Sequence, residues 1–216
     1  MRLNRAAATL AAVLLLAGCT GGPAASTAAA PAASVDLSSC PTSQPAAMAK
    51  DTSKLVTLTT AKGAIAIKVE GALSPIAAGN FVALAQCGYY TGVVFHRLVP
   101  GFVIQGGDGT YGRMPNPDMT RVGTGGPGYK IADEPVNGTY TRGTVAMAKT
   151  SRPNSADSQF FIVLADNQLD PSYQIFGHVT SGMDAVEEIA AMPNAGGQNG
   201  TALQPVAMDK VTVSNP

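Results

Sequence analysis

Arg97 is the residue that most invites a chemical reading. It stands inside an otherwise apolar, strand-like run, Phe95-His96-Arg97-Leu98-Val99-Pro100-Gly101-Phe102-Val103-Ile104-Gln105-Gly106-Gly107-Asp108. A guanidinium keeps its proton in such a setting and offers only donors, so any chemistry it does is done by hydrogen-bond donation and not by proton transfer. Two further segments continue the theme: Asn154-Ser155-Ala156-Asp157-Ser158-Gln159-Phe160-Phe161-Ile162 sets polar groups beside apolar ones, and Val145-Ala146-Met147-Ala148 adds a wholly apolar run. Apolar walls with a few convergent polar groups are what a binding pocket is made of. Taken alone, Arg97 also fits a solvated side chain beside a turn.

Other chemistries find little support. His96 and His178 lie in separate strand patterns with no Cys, Asp or Glu at metal-ligand spacing, so no metal site is expected. Gly196-Gly197-Gln198-Asn199-Gly200 does not lead from a strand into a helix, and no Gly-Lys-Ser/Thr follows a glycine loop, so these glycines read as turns. Lys plus Arg equals Asp plus Glu, 14 each, with no basic cluster, which argues against a nucleic-acid partner.

The elements that must position these groups can be read from the patterning. Hydrophobic residues make up 45% of the 216, enough for one packed domain with appendages. Val56 and Leu58, then Ile65, Ile67 and Val69, alternate with small or polar residues around Lys62-Gly63, which predicts a hairpin. Ser74 as N-cap and Pro75 at the first helical position predict a helix over 75–87, closed by Gly88. Short strands are expected at 93–98, 102–105, 143–148, 159–164 and 175–179, a density that suits a barrel or sandwich. Ser181 with Asp184 resembles a capping box opening a second helix, with Met183, Val186, Ile189 and Ala190 as its apolar stripe and Pro193 as its stop. A last strand over 206–213 can return beside the first.

At this level of detail the chain resembles the cyclophilins, peptidyl-prolyl cis/trans isomerases. The long run around Arg97 is similar to the family signature, Ser158-Gln159-Phe160-Phe161-Ile162 to its second hallmark, and Gly123-Thr124-Gly125-Gly126 to the loop between them. Asn80-Phe81-Val82-Ala83-Leu84 matches the family's first helix, and the resemblance covers roughly 55–214. It implies a mainly β fold, a closed eight-stranded antiparallel barrel capped by two α-helices.

It also implies a site. Arg97 matches the catalytic arginine and Gln105 the polar partner beside it, while Phe102, Phe161 and Leu169 match the floor and walls of a proline pocket. Tyr173 falls where many eukaryotic members carry histidine. Ala148, Lys149 and Thr150 match the strand edge along which the peptide lies, and Gln159 and Gly123 match residues bordering the adjoining groove. Val103 replaces a common methionine of the pocket wall, and Lys149 replaces a common asparagine. The chain has no tryptophan; Gln168 stands at or next to the position where eukaryotic members place the ring that contacts cyclosporin, so weak cyclosporin inhibition is expected.

Prolyl isomerisation suits such a site. The barrier to rotation is close to 20 kcal/mol because of amide resonance, and no bond is made or broken. A site that holds the twisted amide better than the planar forms is sufficient, so no cofactor is expected. Rival readings are a holdase that grips proline-containing segments with incidental catalysis, and a solute-binding lipoprotein, for which the domain is short.

At the N-terminus, Arg2 and Arg5 precede a short apolar run and Leu16-Ala17-Gly18-Cys19, a pattern similar to a bacterial lipoprotein signal. The expectation is a signal peptide over 1–18, a lipidated Cys19, a flexible Ala/Ser/Thr/Pro-rich tether over 19–52, and an isomerase domain over 53–216. This places a monomeric enzyme outside the cytoplasm on the bacterial cell membrane, with proline-containing polypeptides as partners. Cys40 and Cys87 then remain, either bridged in an oxidising compartment or as two separate buried thiols.

Overall fold

The structure, a computed structural model, describes residues 35–216. The expected signal peptide, Cys19 and the first part of the tether lie outside the described residues.

Alternating apolar residues form β1 (Ser53–Thr60) and β2 (Gly63–Glu70), a hairpin in which Val56, Leu58, Ile65, Ile67 and Val69 all point into the core. Helix α1 (Pro75–Gln86) starts where Pro75 fixes the first helical φ. Ser74 is its N-cap residue but makes no side-chain cap bond. The Glu134 carboxylate does that work from a distant loop, accepting from the N–H groups of Ile76 at 2.8 Å and Ala77 at 2.9 Å. The helix ends at Gly88, φ 83°, with the Gly88 N–H on Ala85 O and the Tyr89 N–H on Leu84 O, the paired bonds of a Schellman close.

Next come β3 (Val94–Val99), β4 (Val103–Gly106), β5 (Thr144–Met147), β6 (Phe160–Val163) and β7 (Ile175–Ser181). Helix α2 (Met183–Ala190) buries Ala185, Val186, Ile189 and Ala190. Its capping box does not form: β7 runs through Ser181, and the N-cap is Gly182 at φ 89°, without a side-chain cap bond.

The predicted last strand is two, β8 (Thr201–Ala207) and β9 (Lys210–Ser214). They change partners at Met208–Asp209, where the Met208 N–H bonds to Val93 O and the Asp209 N–H to Thr59 O. As a result the expected closed eight-stranded barrel is replaced by a curled antiparallel sheet of nine strands, in the order β8-β3-β4-β6-β5-β7-β2-β1-β9. The two edges of this sheet are successive strands of the chain, so what joins them is the backbone at Met208–Asp209.

One face of the sheet packs with α1 and α2 around Phe81, Phe95, Phe160 and Phe176. On the other face a smaller cluster of Val103, Tyr140, Ala146, Phe161, Val163 and Ile175 supports Phe102, Leu169 and Tyr173.

Residues 40–52, read from composition as tether, lie along the domain. Cys40 and Cys87 are joined by a disulfide with Cα atoms 5.1 Å apart, which ties this segment to the C-terminal end of α1. Farther on, the Met48 N–H donates to Pro75 O at 2.9 Å, and Gln44 Oε1 accepts from the Ala132 N–H at 2.8 Å. Gly79 within α1 and Gly71 before it leave room for this strap: a Cβ on either would overlap the carbonyl oxygen of Ala46 or Ala49.

Candidate active site

Arg97 reaches the outer face of the sheet through an irregularity in β3. Phe95 pairs with Gly106 and Arg97 with Gln105, so two residues of β3 advance against one of β4, and His96 bulges out of the ladder. Phe95 and Leu98 therefore both enter the main core, while Arg97 joins the opposite face. Across the sheet, one row of paired positions reads Thr201, Arg97, Gln105, Phe161, Ala146 and Ile175.

Above this row lies a cavity of about 240 Å³ lined by Arg97, Phe102, Val103, Gln105, Ala148, Lys149, Phe161, Leu169 and Tyr173. An adjoining cavity of about 300 Å³ is lined by Gln105, Gly123, Thr124, Lys130, Ala148, Lys149, Thr150, Ser155, Asp157 and Gln159. Each catalytic or substrate-binding residue expected from the resemblance lines one or both of these cavities. Gln105, Ala148 and Lys149 belong to both and form the ridge between them. The Lys149 side chain is only 9% exposed, and its ammonium pairs with Asp133 at 2.7 Å.

The guanidinium is held from two sides. Nε and Nη2 donate to the Gln198 carbonyl at 3.0 and 2.9 Å, and Nη1 donates to Gln105 Oε1 at 3.4 Å. Of the five N–H groups of an arginine these bonds use three, leaving two for a ligand. The Phe102 ring lies 5.8 Å below the guanidinium carbon. Partial burial lowers the Arg97 pKa from its ordinary value, with Tyr173 acting in the opposite sense; an arginine so shifted still carries its charge at neutral pH.

Gln105 Nε2 continues the network to Gln159 Oε1 at 3.1 Å, and Gln159 Nε2 donates to Gly123 O at 3.0 Å and Gly125 O at 2.9 Å. The loop bearing these glycines is organised by buried Asp108, whose carboxylate accepts from the N–H groups of Gly123 at 2.8 Å and Gly125 at 2.9 Å. The apolar wall is organised by Tyr140. Its hydroxyl donates to Tyr173 O at 2.8 Å and accepts from the Tyr173 N–H at 3.1 Å, and the Tyr173 ring stands edge-on to Phe161, centroids 5.5 Å apart.

Gln198, Tyr140 and Asp108 were not singled out from sequence. Gln198 acts through a backbone carbonyl, which carries no residue-type signal; the glycines around it, at φ 72°, 65° and 48°, read only as turns. Asp108 closes the signature run and could have been marked there, as a buried carboxylate beside a glycine-rich loop.

Taken together, the site is an apolar recess the size of a small ring, with a fixed cationic donor at its rim, beside a groove bounded by a strand edge. The model of the family described as cyclophilin type peptidyl-prolyl cis-trans isomerase/CLD matches residues 55–213. A probable peptidyl-prolyl cis-trans isomerase of Brucella abortus (strain 2308) is 39% identical over 174 residues, covering 77% of this chain and 86% of the relative. A peptidyl-prolyl cis-trans isomerase of Streptomyces antibioticus is 35% identical, covering 73% of this chain and 97% of the relative. The crystal structure of a Cryptosporidium parvum cyclophilin type peptidyl-prolyl cis-trans isomerase is similar at 29% identity and a TM-score of 0.64, covering 76% of this chain and 99% of that one. A second structure of that protein was determined in the presence of the dipeptide Ala-Pro. By sequence and by fold, the chain belongs to the cyclophilin-type peptidyl-prolyl cis-trans isomerases.

Proposed function

We propose that Arg97 catalyses Xaa-Pro rotation by donating to the prolyl nitrogen as the amide twists, and that the enzyme serves exported polypeptides from a lipid anchor at Cys19. The observation that carries the catalytic part is the pair of unused N–H groups on a guanidinium fixed at the rim of the apolar recess.

In a planar amide the nitrogen lone pair is delocalised into the carbonyl and accepts poorly. As the bond turns, the nitrogen becomes pyramidal and basic, so a donor placed beside it binds the twisted state more tightly than either planar state. Phe102, Val103, Phe161 and Leu169 hold the pyrrolidine ring, and Ala148 to Thr150 hold the preceding residues along their strand edge. The carbonyl side is left free to turn. The dipeptide used with the Cryptosporidium relative contains the same Xaa-Pro unit, which supports this choice of ligand.

The export part rests on the sequence before Cys19 together with the disulfide, a bond that persists in oxidising compartments. The test is a protease-coupled isomerase assay on a short Xaa-Pro peptide with wild type and Arg97→Ala, alongside intact-mass analysis of protein from native membranes. Arg97→Ala is expected to lower kcat/KM at least tenfold with the fold retained, while the mass shows lipid on Cys19. Unchanged catalysis rejects the role of Arg97, and an unmodified N-terminus rejects the anchor. Binding without turnover in the wild type would identify a holdase.

A further inference from the structure

We infer that Gln159 is a positioning residue for the isomerase centre: it decides which end of the Gln105 amide faces Arg97. The inference rests on the reading of Arg97 given above.

The argument starts from groups whose polarity is not negotiable. Gly123 O and Gly125 O can only accept, so the end of Gln159 that meets both, at 3.0 and 2.9 Å, is Nε2. Its Oε1 is then left for Gln105, which meets it with Nε2 at 3.1 Å. That in turn leaves Gln105 Oε1 for the guanidinium, which can only donate.

The bond from Arg97 to Gln105, at 3.4 Å, is the longest in the relay and too weak to hold the amide unaided. Gln159 is the fixed end. It is 7% exposed, its backbone carbonyl accepts from the Ala148 N–H at 2.8 Å, and its own N–H donates to Asp157 Oδ1 at 3.1 Å. Both hydrogens of its Nε2 are taken by the glycine carbonyls, so it has no side-chain donor to offer a peptide. If the Gln105 amide turned over, an N–H would face an N–H, and Arg97 would be pushed out of the orientation that aims its two free donors at the recess. Gln159 thus acts on the reacting bond through Gln105 and Arg97.

The experiment compares Gln159→Met in the native background and in a Gln105→Glu background, with Arg97→Ala assayed alongside. In the native background Gln159→Met is expected to lower kcat about tenfold, the scale of losing an oriented bond to a charged group, with KM within about twofold. A carboxylate at position 105 presents an acceptor whichever way it turns, so in that background the same substitution should cost less than about twofold. Equal losses in both backgrounds would mean that Gln159 only supports the glycine loop, and would overturn the inference. Should Gln105→Glu turn over too slowly to compare, the side-chain amide resonance of Gln105 decides: it must shift or broaden in Gln159→Met, and an unchanged signal overturns the inference. If Arg97→Ala loses activity while Gln159→Met does not, only this inference fails; if Arg97→Ala keeps activity, the reading beneath it fails.

Discussion

Arg97 faces Gln105 across β3 and β4 because His96, between Phe95 and Arg97, drops out of the ladder. Without that bulge the period of two would send Arg97 into the core behind Phe95, and the outer face would carry no charge at this row.

The forked geometry at Arg97 predicts that charge alone is insufficient. Arg97→Lys keeps the cation but cannot span Gln198 O and Gln105 Oε1 together. We expect kcat to fall about tenfold with Tm within about 2 °C of wild type. Steady-state kinetics and thermal melts check this; wild-type kcat in the lysine variant would show that the fork does not matter.

His96 predicts a pH dependence of stability. It is 5% exposed, and burial lowers its pKa to about 4, with Asp108 opposing the shift and Arg97 adding to it. A depressed histidine leaves the unfolded chain holding more protons between pH 6.5 and 4, so folding is weakened as pH falls through that window and not above it. The loss amounts to about 3 kcal/mol by pH 4. His96→Gln should show a shallower decline than wild type when urea midpoints are measured from pH 7 to pH 4, and parallel profiles would contradict the assignment.

Gly79 predicts a reversal of helix propensity. In an open helix Gly→Ala stabilises by about 1 kcal/mol, but here the added methyl would meet the Ala46 carbonyl oxygen. Gly79→Ala should therefore lower the urea midpoint and expose residues 44–49 to hydrogen exchange. A stabilised variant would place the strap off the helix.

The disulfide itself predicts stability without activity. Closing a loop with a sequence separation of 47 between Cys40 and Cys87 stabilises by about 4 kcal/mol on the chain-entropy account. The double variant Cys40→Ser, Cys87→Ser should lose about this much while keeping kcat within twofold at 25 °C, since neither cysteine lines the cavities.

Cyclosporin should inhibit weakly. The cavity wall offers half-buried Leu169 beside exposed Gln168, and no indole is present anywhere in the chain. A nanomolar inhibition constant would count against this.

Much of this architecture was legible because it is written in side-chain types. The alternation of β1 and β2 and Pro75 opening α1 follow from residue identity, while the motif residues of both cavities are implied by the resemblance to the cyclophilins. What was illegible is carried by backbone and by remote partners. The Gln198 carbonyl leaves no mark in composition, and Glu134 caps a helix some sixty positions earlier in the chain. Val206 to Val213 reads as one strand because its apolar residues continue across Met208–Asp209; the exchange of β3 for β1 as partner is a property of the whole sheet. Residues 40–52 offer few large side chains for packing, yet two glycines on the domain leave room for their main chain, and Met48 and Cys40 alone pack against the core.

The covalent link from Cys40 to Cys87 also sets the route of mechanical load. Tension arriving along the chain from its N-terminal side meets the domain at Cys40 and crosses directly to the end of α1, so residues 41–52 and β1 stay slack. A pull that would otherwise peel β1 from β2 and β9, one hydrogen bond at a time, bears instead on a sulfur–sulfur bond. Under reducing conditions the same pull first strips residues 44–49 from the domain and then reaches β1, and the unfolding force measured from that end should drop.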